Sequence, residues 1–155
     1  VCNCDNLYSV RALEALANTA ELNALIAYDR DGLQFSMDRI SRFALVAFNQ
    51  DGYLQDIIEK PSIVDSNEYM DADGKLRVSM NIFKLDGTEM FPYLKNCPVH
   101  PTRNEKELPT AILNYCKEHP DKFKGIFLRE HVPDLTSKAD ILTIKAYINE
   151  HFPEK

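Results

Sequence analysis

No apolar run in this 155-residue chain approaches the ~20 residues a helix needs to span a bilayer. A helical membrane span is therefore excluded, and no signal peptide is visible. A basic block is also missing: 18 Lys and Arg face 24 Asp and Glu, giving a net charge of −6 spread along the chain. A duplex nucleic-acid binder needs a cationic patch that matches phosphates, so nucleic acid is not an expected partner. Four cysteines (Cys2, Cys4, Cys97 and Cys116) include one Cys-x-Cys and no neighbouring ligand pair of the kind zinc sites show. Reduced thiols in a cytoplasmic protein are the expected state. The five glycines (32, 52, 74, 87 and 125) are scattered, and no internal repeat or low-complexity linker divides the chain. Val1 stands where an initiator Met would, which leaves open what precedes it.

What is present reads as one globular domain over residues 1–155, with 45% hydrophobic and 27% charged residues. Val1–Cys4 reads as the end of a buried strand with Asp5 at its tip. Ser9–Thr19 reads as a helix capped by Ser9, with Val10, Leu13 and Ala17 on its apolar face. Asn23–Arg30 is a nearly continuous apolar run of the type covered on both faces of a sheet. Arg42–Pro61 suggests two strands around Gln50-Asp51-Gly52. Residues 63–75 read as a polar surface excursion and Leu76–Leu85 as a strand. A short helix follows from near Thr88. Another spans Asn104–His119 with Pro109 in its first turns. Lys122–His131 is a strand. Thr136–Phe152 is a final helix, capped by Thr136 or Ser137 and apolar at Ile141, Ile144 and Ile148. The alternation of strands and helices predicts an α/β domain with a mixed sheet flanked by helices.

Four places put polar groups at element ends, and each has two readings. Asp5 is either a solvated strand end or a ligand at the carboxyl end of a strand, where open α/β sheets bind. Glu59-Lys60 is an exposed ion pair or part of a pocket. Ser79 and Asn81 face solvent or line a site. Asp134 caps the last helix with Thr136 or carries chemistry. The four histidines (100, 119, 131 and 151) fall on loops or polar helix ends and read as solvated, His131 alone near these places.

Their order adds information. Asn3-Cys4-Asp5-Asn6-Leu7 comes first, then Gly52 through Glu59-Lys60-Pro61, then Val78-Ser79-Met80-Asn81-Ile82. Glu107-Leu108-Pro109 follows, and then Asp134-Leu135-Thr136 with Asp140-Ile141. The set resembles the sugar-phosphate nucleotidyltransferases, the nucleoside-diphosphate-sugar pyrophosphorylases of the glucose-1-phosphate thymidylyl- and uridylyltransferase kind.

That resemblance implies a Rossmann-like nucleotidyltransferase fold and a direct transfer. The phosphate oxygen of a sugar-1-phosphate attacks the α-phosphorus of a nucleoside triphosphate, and pyrophosphate leaves. It implies Mg2+ held by Asp5 and Asp134, with Asp5 and Lys60 catalytic. Glu59 would hold sugar hydroxyls and Lys60 the sugar phosphate. Asn3, Ser79 and Asn81 would line the pocket. Three departures stand against the pattern. Cys4 replaces the family's usual Gly, the Gly of the Asp-x-Gly-Thr stretch is absent between Leu135 and Thr136, and no glycine-rich nucleotide-binding loop occurs. The chain is accordingly expected to be the C-terminal part of such a catalytic domain, without its N-terminal nucleotide-binding part, and inactive or nearly so alone. The rival expectation is a non-catalytic, divergent binding module. An exposed sheet edge would be prone to pairing, which leaves a homo-oligomer open.

Overall fold

The computed structural model describes residues 1–59 and 69–152. Helix α1 (Val10–Asn18) precedes β1 (Asn23–Asp29), a 3-10 turn (Arg30–Gly32) and a single helical turn, α2 (Met37–Ile40). The hairpin β2 (Leu45–Phe48) and β3 (Leu54–Ile58) follows, then β4 (Arg77–Lys84), α3 (Gly87–Asn96), α4 (Leu108–Glu118), β5 (Phe123–Leu128) and α5 (Asp140–His151). The five strands among the described residues form one sheet in the order β3-β2-β4-β1-β5. β1 and β5 run parallel, while the other pairs are antiparallel, so the sheet is mixed as the alternation of elements predicts.

β1 sits inside this order, and all seven of its residues are buried. Its alternate side chains feed two cores, as the period of two along a strand requires. Ala24, Ile26 and Tyr28 pack with Ala12, Leu16, Val78, Met80 and Val132 on one face. Leu25 and Ala27 pack with Val46, Leu54, Met90, Ile112 and Tyr115 on the other. Helix α1 thus covers the first face, and α3 and α4 cover the second. Asn23, fully buried at the start of β1, is satisfied on every side. Its amide donates to Glu89 (2.7 Å) and to the Tyr115 hydroxyl (3.1 Å), and its oxygen accepts from the Asp86 N–H (2.8 Å).

Four local expectations are corrected. Residues 1–3 are exposed and reach the sheet through one bridge, Cys2 opposite Ile82, so they are not a buried strand. Helix α1 is capped by Ser9 as expected (Ser9 Oγ to Ala12 N, 3.0 Å), but it buries Ala12 and Leu16. Val10 and Leu13 are left 61% and 50% exposed; the small Ala12 lets the backbone approach the sheet closely. α4 starts at Leu108 rather than Asn104, because Asn104 takes a positive φ of 53° in a turn closed by His100 and Glu105. α5 starts at Asp140, carries no side-chain cap and buries no residue; Ile141 and Ile148 stay about two-fifths exposed.

The hairpin tip folds back on β5. Gly52, at φ +77°, accepts from the Gly125 N–H at 2.9 Å, and Tyr53 bridges Lys124. The Phe48 ring lies against Gly125 and meets the Phe127 ring edge-on at 5.1 Å between centroids. A Cβ at position 125 would stand 2.4 Å from the Phe48 ring. Gly125→Ala is therefore expected to cost about 1–3 kcal/mol through overpacking, read as a lower denaturant midpoint at unchanged m. An unchanged midpoint would show that the ring yields freely.

Burial also sets a pH limit. It pushes the Cys116 thiol and the Tyr8 hydroxyl each up to about 12, and it raises Tyr28 and Tyr115 as well. Folded-state values above the unfolded ones mean that the native chain binds these protons more tightly. Their contribution is intact below the ordinary range of ~8.5–10 and declines as pH rises toward 12. The Tm should accordingly fall steadily between pH 9 and 11; a flat profile over that interval contradicts this.

Candidate functional site

The first seven residues connect two distant parts of the chain. Val1 and Phe83 exchange backbone hydrogen bonds (2.9 and 2.8 Å), and the Asn3 N–H donates to the Asn81 carbonyl (3.2 Å). Farther along, the Leu7 N–H donates to Pro133 O (2.9 Å) and the Leu135 N–H to Asp5 O (2.8 Å), with Asn6 opposite Asp134. A segment with too few apolar residues to be buried is thus held by its main chain. In doing so it sets Asn3 beside β4 and Asp5 beside the β5–α5 connection.

Beside β4 lies a cavity of about 420 Å3 whose lining includes Asn3, Glu59 and Asn81. Glu107, Leu108 and Pro109 at the start of α4 complete its far wall with Arg103 and Lys106. Three motifs far apart in sequence therefore converge with a fourth. Glu59 is exposed just beyond β3; Lys60 lies outside the described residues. Among the described residues the lining carries three carboxylates (Glu59, Glu105, Glu107) against two cations (Arg103, Lys106), and Arg103 pairs with Glu107. Alcohol hydroxyls suit such a mixture of acceptors and donors. Asn81 owes its place to a β-bulge. Leu25 pairs with Phe83 and Ala27 with Ser79, so three residues of β4 oppose Ile26 alone. Asn81 at the apex has φ +55°, a strained conformation costing about 1–2 kcal/mol for a residue with a Cβ. Ser79 does not line the cavity. It is buried behind Asn81, and its hydroxyl accepts from the Asn81 N–H at 3.1 Å.

Asp5 and Asp134 come near each other through their main chains, but their carboxylates have different fates. Asp5 is exposed, whereas Asp134 is buried and engaged. Arg39 donates to the Asp134 carboxylate (2.9 Å) and carbonyl (3.0 Å) and, through its other terminal nitrogen, to Asp140 (2.7 Å). The Thr136 hydroxyl adds a bond to Asp134 at 2.8 Å. Arg39 and the Ser137 N–H hold the Asp140 carboxyl down to about 2. This cluster walls a second cavity of about 240 Å3 with Phe35 and His131. His131 is half-buried rather than solvated. Its Nδ1 accepts from the Gln34 N–H at 3.1 Å, and burial followed by the nearby Arg39 lowers its pKa. Of the two carboxylates implied for a divalent ion, Asp134 is thus paired with a guanidinium and Asp5 is exposed. Among the described residues no three His, Cys, Asp or Glu side chains converge to hold a metal.

The structure thus brings Asn3, Glu59 and Asn81 together, places Ser79 behind them, and leaves Asp5 and Asp134 outside the cavity's lining. Sequence reasoning missed Tyr8, Arg39, Arg103 and Lys106. Arg103 was within reach, since it stands four residues before Glu107; nothing local marks Arg39, whose partners are about a hundred residues away. Because Arg39 ties the otherwise unburied α5 to the body, Arg39→Met should leave Asp134 uncompensated. The expected loss is on the order of 2–3 kcal/mol, moderated by partial exposure, with amide exchange in α5 accelerating more than in β1. Uniform acceleration across both elements would argue against a tether.

No protein-family model matches this chain, and no curated protein matches it by sequence. Its fold is similar to that of a protein assigned as a glucose-1-phosphate thymidylyltransferase from Bacillus anthracis, in a crystal structure in complex with a sucrose. The TM-score is 0.62 at 19% identity, over 97% of this chain and 54% of that one. The chain therefore spans about half the length of that structure, and what the two share is the fold, here a mixed sheet flanked by helices.

Proposed function

We propose that this chain carries the sugar-phosphate-binding part of a sugar-1-phosphate nucleotidyltransferase. The observation that carries the reading is the convergence of Asn3, Glu59, Asn81 and Glu107-Leu108-Pro109 on one cavity. In the proposed reaction a phosphate oxygen of the sugar-1-phosphate bonds to the α-phosphorus of a nucleoside triphosphate. The bond from that phosphorus to the β-phosphate bridge breaks, and pyrophosphate departs. Such a transfer asks the protein for positioning and charge neutralisation rather than covalent chemistry. Glu59 and the two asparagine amides would hold sugar hydroxyls, and Lys60 the phosphate. A Mg2+ ion, where one takes part, would neutralise phosphate charge. Exposed Asp5 would offer a carboxylate to it, while Asp134 is already paired with Arg39. The triphosphate has no glycine-rich loop in this sequence to cradle it, so the chain is expected to bind the sugar phosphate and to show little or no turnover alone. The four free thiols favour a reducing compartment, the cytoplasm.

One observation favours a second reading, a binding module without catalysis: Arg39 occupies the carboxylate that a metal would need. Calorimetric titration separates the readings from each other and from failure. Glucose-1-phosphate should bind saturably, and Glu59→Gln should weaken it about tenfold, as loss of a charged hydrogen-bond acceptor does. Pyrophosphate release with magnesium and a triphosphate panel would place catalysis on this chain. Saturable binding with no release from the complete reading frame would favour the module. Absence of binding by every hexose-1-phosphate tried would refute both.

A further inference from the structure

We infer that Tyr8 is the positioning residue of the cavity: its hydroxyl locks the β4 bulge in the conformation that presents Asn81, together with Asn3, to the sugar phosphate. The inference rests on the functional reading above for its ligand, but not for its geometry. The bulge holds a non-glycine residue at φ +55°, and such strain persists only where the surroundings over-determine it. Three contacts supply that determination. Ser79 accepts from the Asn81 N–H (3.1 Å) on one side. On the other, the Asn81 carbonyl accepts from the Asn3 N–H (3.2 Å), and the Tyr8 hydroxyl donates to the Met80 carbonyl at 2.6 Å. The same hydroxyl lies 3.3 Å from both the Asn81 carbonyl and the Asn6 side-chain oxygen.

Ser79 belongs to β4 itself and moves with it, whereas Tyr8 reaches in from a different segment. That segment is anchored independently at Pro133 and Leu135. Tyr8 therefore adds a side-chain tie between the bulge and the chain that carries Asn3, beside the main-chain bond from Asn3 to Asn81. Half-buried, it packs its ring against the core face that holds Met80 and Ile82. Removing the oxygen alone leaves that packing in place.

The test is a double-mutant cycle with a second, ligand-independent readout. Tyr8→Phe should fold with an unchanged circular dichroism spectrum and bind glucose-1-phosphate about tenfold more weakly, the fold-change that loss of one hydrogen bond gives. Asn81→Gly removes the amide while tolerating the positive φ, and it should weaken binding alone. If Tyr8 acts through Asn81, the double variant binds no more weakly than Asn81→Gly; independent effects would multiply and overturn the proposal. Amide hydrogen exchange in the ligand-free protein supplies the other readout. Tyr8→Phe should accelerate the Asn3 and Asn81 N–H groups while β1 is unmoved. Unchanged exchange at both would sink the lock even if binding falls. A wild-type chain that binds no sugar phosphate would overturn the functional reading and the affinity claim, and exchange would then uphold or reject the lock by itself.

Discussion

The main-chain pairing of residues 1–7 with two separate stretches, 81–83 and 133–135, is the constraint on which the candidate site depends. Apolar burial does little at this segment: Val1 is 71% exposed, and Cys2 through Asp5 are exposed as well. Backbone hydrogen bonds hold it because β4 runs on past the start of the short β2, beyond the Leu45–Val78 pair and the bond from the Ser79 N–H to the Ala44 carbonyl. An extended chain satisfies the β4 backbone groups there, as buried or half-buried amides require. One consequence is that Asn3 and Asn81 become neighbours; another is that Asp5 meets the β5–α5 connection. Without the segment the cavity would lose one of its walls.

The two halves of the proposed chemistry are treated differently by the fold. Around the cavity, strained Asn81, exposed Glu59 and the Arg103–Glu107 pair put polar groups on its lining. Around Asp134, one carboxylate oxygen already accepts from both Arg39 and Thr136. Arg39 is shared between two carboxylates, rests 4.7 Å from the Phe35 ring centroid, and ties the last helix to the body. A buried carboxylate without that cation would carry a large desolvation cost. In this structure the Oδ2 oxygen of that carboxylate serves the tether.

The polar network at the opposite end of β1 shows the same economy in a structural role. Asn23, with no exposed surface, satisfies three groups from α3 and α4 and so seats both helices on the sheet. Fully satisfied networks of this kind stiffen a fold because each member would be costly to leave unpaired. The rigid side of the domain thus lies under α3 and α4. The side with α5, which buries nothing, is held by ion pairs and by the Phe35, His131 and Tyr147 rings.

The mixed α/β class, the doubly covered β1, the hairpin around Gly52, the Ser9 cap and the residues Asn3, Glu59 and Asn81 were all legible in the sequence. Each depends on local periodicity, on turn chemistry or on an ordered motif, and such signals need no knowledge of distant neighbours. What the sequence by itself determined is therefore the kind of sheet and the residues that could line a pocket. Only the tertiary structure decided which helix faces are buried, that residues 1–3 are an exposed edge, and that α5 lies on the surface. It alone committed Asp134 to Arg39, 95 positions away, and made Ser79 a support for Asn81. Those outcomes turn on which groups compete for one partner in space, and that competition has no periodicity to read along the chain.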